Sequence, residues 1–170
     1  MDPATERIAA GLSQAIQAER DGQHFYKMAA ETTQDDQGRR MFLDLANDEL
    51  EHERFLRAQY DSVAKTGKID PAVSLGPVRE FASEHPMFSP QIRERIASAH
   101  FEMTALSVGI QLELSAIRFY ENEAAVVDDP EAKAFYEKLA AWEHGHLTLL
   151  QNQAEELKED YWHASGFAPF

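Results

Sequence analysis

The chain has 170 residues, 44% of them hydrophobic, which suits one folded domain. Its formal net charge of −14 disfavours nucleic acid or an anionic membrane as a partner. Cysteine is absent, which excludes disulfides and thiolate metal sites and favours the reducing cytoplasm. No apolar run approaches the roughly 18–20 residues that span a bilayer, so we expect a cytoplasmic protein without a membrane partner.

The first half of the chain predicts two long helices joined by a short loop. Asp2 and Pro3 are the residue types preferred at the N-cap and first position of a helix, and apolar residues recur after them at helical spacing. The next break in the pattern contains Asp35 and Asp36, either of which can cap the second helix. Gly67 is expected to end that helix.

Residues 67–103 are predicted to form a long crossover. Prolines and glycines interrupt the helical period throughout this segment. Ser89 followed by Pro90 indicates the start of a short helix. We therefore expect one or two short helices here, the second capped at Ser89.

The second half of the chain repeats the plan of the first. A third long helix is predicted from Thr104 to about Val127, and Asp129 followed by Pro130 marks the start of the fourth. An irregular aromatic tail is expected over residues 161–170.

Two helix hairpins joined by a crossover predict an all-α, ferritin-like four-helix bundle. The short loops make the helices of each hairpin antiparallel. The long connection can return the chain along helices of about 42 Å, at 1.5 Å per residue. We expect residues 1–170 to form one such domain.

One set of side chains occurs twice, 94 residues apart (113 − 19 and 146 − 52, for example). Each copy has a Glu, then Phe-Tyr, then Glu-x-x-His: Glu19, Phe25, Tyr26, Glu49 and His52 in the first, Glu113, Phe119, Tyr120, Glu143 and His146 in the second. A lone Glu-x-x-His is a weak motif, but four carboxylates and two imidazoles in a doubled pattern are the ligand set of a di-iron carboxylate bundle. The sequence therefore predicts two iron ions, with manganese or zinc as alternatives, bound by Glu19, Glu49, His52, Glu113, Glu143 and His146.

Chemistry supports this ligand set. Glu-x-x-His places two ligands at i and i+3 on one helix face, and a carboxylate in an apolar stripe is costly unless a partner or metal compensates it. Tyr26 and Tyr120 follow the upstream glutamates by two helical turns. We expect them to hydrogen-bond ligand carboxylates or to take part in radical chemistry, with core packing as the alternative.

Other candidates have less support. Glu121 is an outside candidate ligand, eight residues after Glu113. The remaining five histidines are expected at surface or structural positions: His24, His85, His100, His144 and His163.

The doubled motif resembles the rubrerythrin branch of the ferritin-like superfamily, over roughly residues 5–60 and 104–158. The resemblance implies a four-helix bundle, a non-haem di-iron site and redox chemistry with peroxide or dioxygen. Rubrerythrins carry a rubredoxin domain with a Cys₄ iron, which this cysteine-free chain lacks, so a peroxidase cycle would need an external electron donor. They also carry an additional glutamate three residues after the one matched by Glu113, where this chain has Ala116.

Three functions are consistent with these patterns. The first, which we favour, is an oxidoreductase that reduces peroxide or dioxygen with an external electron donor. The second is an iron-handling protein that oxidises ferrous ion, and the third is a structural bundle with vestigial ligands. The resemblance and the aromatic tail also predict a homodimer; the tail residues are Tyr161, Trp162, Phe167 and Phe170.

Overall fold

The computed structural model describes residues 2–73, 75–76, 86–164 and 166. It contains five α-helices, with a 3₁₀ turn at Ile96–Ser98. The helices are α1 (Pro3–Thr32), α2 (Asp36–Thr66), α3 (Pro90–Glu94), α4 (His100–Val126) and α5 (Pro130–Ala164). The described residues form no strand, which confirms the predicted all-α class, and none of their helices has a stretch apolar and long enough to cross a bilayer.

The helix ends follow the capping signals in the sequence. Asp2 accepts hydrogen bonds from two backbone amides of the first turn of α1, each at 3.0 Å. Asp35, rather than Asp36, caps α2, and Asp129 accepts from the first turn of α5 at 2.8 Å. Gly67 ends α2 with φ at +76°, a left-handed conformation that glycine adopts without a Cβ penalty.

Helix α4 begins at His100, four residues before the predicted start at Thr104. The 3₁₀ turn leads directly into α4, and the N-cap residue Ala99 makes no side-chain capping bond. The sequence therefore carries no capping signal at this boundary. Helix α3 begins at Pro90, as Ser89 followed by Pro90 predicts, and the Ser89 hydroxyl donates to the carboxylate of Asp35.

Helix α5 continues to Ala164, so the first four residues of the predicted 161–170 tail are helical. Tyr161 packs its ring edge-on against His100, with ring centroids 6.5 Å apart. The ammonium nitrogen of Lys158 lies over the Trp162 ring, 4.7 Å from the ring centroid. Phe167 and Phe170 lie outside the described residues.

The long helices pack as two hairpins, α1 with α2 and α4 with α5, and α1 contacts α4. Their apolar side chains form two separate core clusters. The Leu12 cluster includes Leu12, Leu56, Tyr120, Tyr136 and Leu139. The Leu150 cluster includes Tyr26, Phe42, Ile92, Leu106 and Leu150.

Each long helix changes from one cluster to the other near its middle. Helix α1 contributes Ala15 to the Leu12 cluster and Tyr26 to the Leu150 cluster, with Glu19 between them. The same change occurs in α2 around Glu49 and in α4 around Glu113. A layer of buried polar side chains therefore separates the two apolar clusters.

Candidate metal centre

The six predicted ligands all lie in this polar layer. They come from four helices: Glu19 on α1, Glu49 and His52 on α2, Glu113 on α4, and Glu143 and His146 on α5. None is more than 3% exposed. The helical spacing of Glu-x-x-His turns both of its side chains inward, while the Glu of the preceding helix in the same hairpin completes each half.

Glu19, Glu49, His52 and Glu143 form one candidate metal site. One ligand atom from each lies within 4.8 Å of the others. Nδ1 of His52 is 3.2 Å from Oε2 of Glu19 and 3.1 Å from Oε1 of Glu143. Three helices thus supply one ion-sized cluster of oxygen and nitrogen donors.

A second cluster on the other side contains Glu49, Glu113, Glu143 and His146, with the same 4.8 Å limit. Nδ1 of His146 is 3.2 Å from Oε2 of Glu143 and 3.3 Å from Oε1 of Glu49. Glu49 and Glu143 belong to both clusters, so each can bridge two ions. The arrangement therefore has two sites related by the 94-residue repeat.

Two tyrosines connect the hairpins at this centre. The hydroxyl of Tyr26 on α1 donates to Oε1 of Glu113 on α4, and that of Tyr120 on α4 donates to Oε1 of Glu19 on α1. Both side chains are fully buried. Burial and the neighbouring glutamates raise the pKa of both phenols well above the ordinary value, so they remain donors.

Burial affects the four carboxylates differently because their neighbours differ. Burial raises the pKa of Glu113 to about 8, with the charge of Glu49 adding to the effect. Burial and then Glu143 also raise the pKa of Glu19. Burial acts to raise the pKa of Glu143, but His52 overrides it and lowers that pKa to about 2. Burial also acts to raise the pKa of Glu49, but hydrogen bonds with Glu19 and both histidines lower it well below its ordinary value.

The histidines are held in their protonated form. Burial acts to lower the pKa of His52, but the facing carboxylates, Glu143 first, raise it well above its ordinary value. For His146, burial again opposes, and Asp48 and the glutamates raise the pKa.

The donor set fits a pair of divalent metal ions. No Lys or Arg pairs with the four glutamates in the part of the chain that the structure describes. Neither oxygen of Glu143 accepts a hydrogen bond from a described residue, although both are buried. Two divalent ions would balance the charge of four ionised glutamates, and mixed carboxylate and imidazole ligands suit iron, manganese or zinc.

Comparison with known families agrees with this geometry. The Rubrerythrin family matches residues 11–154, most of the chain, including all six candidate ligands. The chain belongs to the rubrerythrin family. No curated protein and no solved structure matches it.

Within this rubrerythrin fold the two histidines have different surroundings. Nε2 of His146 lies 3.5 Å from Oδ2 of Asp48. The residue 94 positions after Asp48 is Trp142, whose ring packs edge-on against His52 with centroids 5.2 Å apart. The sequence analysis did not identify either residue. Aligning the two halves of the chain with an offset of 94 would have shown that Asp48 and Trp142 differ at equivalent positions, each next to a ligand glutamate.

A cavity of about 260 Å³ between α1 and α4 reaches the centre. Apolar atoms form most of its lining surface, although polar residues also contribute. The lining consists of Ala18, Leu112, Ala116, Phe119, Gln14, Asp21, Gly22, Ser115 and all four candidate glutamates. Gly22 and Ala116 are 94 residues apart, and a Cβ at Gly22 would lie 3.5 Å from the Glu49 carboxyl carbon. The small residues at these two equivalent positions leave this space open.

The remaining candidate residues lie away from the centre. Glu121, the less favoured candidate ligand, is exposed and lies 3.8 Å from His144, so that prediction is wrong. The exposed histidines match the surface expectation: His24, His100, His144 and His163. His85 lies outside the described residues.

Proposed function

We propose that this rubrerythrin-family protein is a non-haem di-iron oxidoreductase that reduces peroxide or dioxygen with electrons from an external donor. The observation that carries the proposal is the cavity of about 260 Å³, with a mostly apolar lining surface, that reaches a buried cluster of four glutamates and two histidines. Such a path suits a small neutral oxidant better than a charged or large substrate.

Each side chain has a defined role in this proposal. Glu49 and Glu143 would be shared by two bound ions because they belong to both clusters. Glu19 with His52, and Glu113 with His146, would each hold one ion. The two unshared carboxylates are oriented by Tyr120 and Tyr26, which hold their outer oxygens.

Two ferrous ions, when bound, supply the two electrons that convert peroxide and two protons into two water molecules. The surrounding protein keeps the centre dry except through the cavity, and the apolar clusters above and below hold the four helices rigidly. The ligands end each turnover in the ionisation state in which they began it. The ions are the only stored electron source that this proposal requires, so they must be reduced again after each turnover.

The reductant is expected to be a separate molecule. The 170 residues contain no cysteine and therefore no Cys₄ iron. We propose a cytoplasmic redox protein or small reductant as the donor. The homodimer stays a prediction, because Tyr161 and Trp162 already have partners within the chain.

A ferroxidase or iron-handling function is the second candidate. Asp21 lies in the cavity lining, and the chain is strongly acidic, which would concentrate ferrous ion near the entrance. A ferroxidase turns over excess ferrous ion with dioxygen. An oxidoreductase of the first kind oxidises its resident iron once and then depends on the added reductant.

Ala116→Leu tests the cavity. The larger side chain should fill part of the space, slow oxidation of the ferrous-loaded protein by peroxide in stopped-flow measurements, and leave the iron content unchanged. Ala125→Leu, the same substitution at an exposed position of α4, is the matched control. Equal rates in the two variants, or faster turnover with excess ferrous ion than with peroxide, would contradict the proposal.

A further inference from the structure

The two halves of the centre differ behind the tyrosines. Phe42 and Tyr136 occupy equivalent positions of the 94-residue repeat (136 − 42 = 94). Tyr26 stacks on Phe42 with ring centroids 6.4 Å apart and planes at 21°. Tyr120 stacks on Tyr136 with the same 6.4 Å separation and planes at 25°. The two stacked pairs thus have nearly the same geometry, but only the Tyr120–Tyr136 pair consists of two phenols.

The second phenol extends from the centre toward the protein surface. Tyr136 is fully buried, and its hydroxyl has no hydrogen-bond partner among the residues the structure describes. Its oxygen and Oε2 of Glu123 converge on Gly11, where an added Cβ would lie 2.7 Å and 3.1 Å from them. Glu123 in turn pairs with Arg7 at 3.7 Å, and their side chains are 18% and 52% exposed.

The other half ends in hydrocarbon. Beyond Phe42 lies Phe88, with centroids 6.1 Å apart, and both are buried. A benzyl group is much harder to oxidise than a phenol, because it has no hydroxyl proton to release. The two halves therefore provide a phenol pair that leads to a surface ion pair and a matched aromatic pair that does not.

We propose that Tyr120 and Tyr136 form a one-electron relay between the metal centre and a donor-docking surface at Arg7 and Glu123. The proposal rests on the proposed oxidoreductase function and identifies the route by which its external donor delivers electrons. The donor is a one-electron reductant that carries positive charge near its redox group, because the protein has a net charge of −14. Tyr120 and Tyr136 are the relay residues, and Glu123 accepts the phenolic proton of Tyr136 and returns it.

The electrons balance when only one of the two ions is ferrous. Peroxide takes one electron from that ion and one from Tyr120, and with two protons from solvent its O–O bond is cleaved to give two waters. The phenolic proton of Tyr120 moves to Glu19 along the existing hydrogen bond. It returns when Tyr136 passes an electron to Tyr120.

Tyr136 then loses its own phenolic proton to Glu123, whose carboxylate faces the same space beside Gly11 as the Tyr136 hydroxyl. Burial and Glu123 raise the pKa of Tyr136, so the phenol starts protonated and releases its proton only on oxidation. The external donor returns one electron, and Glu123 returns the proton. In sum, one peroxide, two protons, one ferrous ion and one donor electron give two waters and one ferric ion.

The first test drives electrons outward and needs no peroxide chemistry. Ferrous-loaded protein is mixed with ruthenium(II) tris-bipyridine and a sacrificial quencher, and a laser flash generates the ruthenium(III) oxidant, whose positive charge favours the acidic surface. Loss of ferrous ion is followed optically. Tyr136→Phe should slow this loss by an order of magnitude or more, and Tyr60→Phe, which removes an exposed phenol on α2, should not.

The second test detects the radical itself. Half-reduced protein is freeze-quenched after mixing with peroxide and examined by electron paramagnetic resonance. Wild type should show a tyrosyl signal that ascorbate removes quickly. In Tyr136→Phe the signal should decay much more slowly, because the buried Tyr120 would have no second phenol to pass it an electron. The variant should fold, since it removes an oxygen that has no hydrogen-bond partner.

The outcomes separate the two proposals. Equal flash-driven rates in wild type and Tyr136→Phe overturn the relay, even if peroxide is reduced normally. A slowed Tyr136→Phe together with no peroxide consumption supports the relay and overturns the proposed function. A protein that takes up no iron overturns both.

Discussion

At the scale of single residues, the glutamates of the centre divide into two kinds. Glu49 and Glu143 take part in both clusters, whereas Glu19 and Glu113 each take part in one. Their chemistry in the sequence is identical, and only their positions between the hairpins differ. The consequence for metal binding can be tested directly.

Glu143→Gln should abolish binding of both ions, whereas Glu19→Gln should leave one ion per chain. The reason is that a bridging carboxylate serves both sites, and a neutral amide is a poor ligand for either. Metal per protein is measured by plasma emission after loading with manganese or ferrous ion. Glu53→Gln is the control: Glu53 neighbours His52 in sequence but pairs with Arg57 at 2.8 Å outside the centre. Equal stoichiometry in Glu143→Gln and Glu19→Gln would contradict the bridging role.

At the scale of helices, Asp35 links α2 to the crossover. Its buried carboxylate caps α2 through the Gly38 amide at 2.7 Å and also accepts the amide and hydroxyl of Ser89. Burial acts to raise the pKa of Asp35, but these hydrogen bonds lower it. The Asp35 side chain therefore links the segment before α3 to the start of α2.

Asp35→Ala should destabilise the fold by about 2 kcal/mol, because the cap is lost and the amide of Ser89 is left without its acceptor. Asp36→Ala is the control at the next position, where an exposed pair with Arg39 at 3.6 Å should contribute about 0.5 kcal/mol or less. Urea unfolding followed by circular dichroism gives both values. A loss in Asp36→Ala as large as in Asp35→Ala would show that the carboxylate of Asp35 has no special role.

At the scale of the whole molecule, the centre couples stability to pH and metal. Glu113 ionises near its ordinary value of 4.5 when unfolded and at about 8 when folded. Its contribution to the metal-free fold is complete below about 4.5 and is lost as pH rises through about 8. The raised histidines act in the same direction above 6.5. Glu143, lowered to about 2, contributes a constant amount at neutral pH.

The metal-free melting temperature should therefore fall between about pH 6 and about pH 9. Manganese or zinc at about 100 times its dissociation constant should add about 2.7 kcal/mol, and metal should bind more tightly as pH rises because it displaces fewer protons. Calorimetric melting with and without a chelator measures both effects. Glu113→Gln should show a smaller pH dependence without metal. A metal-free melting temperature that is constant or rises over this range would contradict the assignment.

The sequence by itself determined the helices and the identity of the centre's side chains. The caps at Asp2, Asp35 and Asp129 and the stop at Gly67 are local signals, because capping bonds span two to four residues. The candidate ligands were visible because the 94-residue repeat doubles a motif with helical spacing. The start of α4 was not visible, since Ala99 makes no side-chain cap.

Only the tertiary structure decided how these side chains are connected. Tyr26 and Glu113 are 87 residues apart, and Tyr120 and Glu19 are 101 apart, so no local period links them. The bridging position of Glu143 and the cavity beside Ala116 likewise arise where two hairpins meet. Helical periodicity fixes which face a residue occupies on its own helix, but packing between helices fixes which residue of another helix it meets.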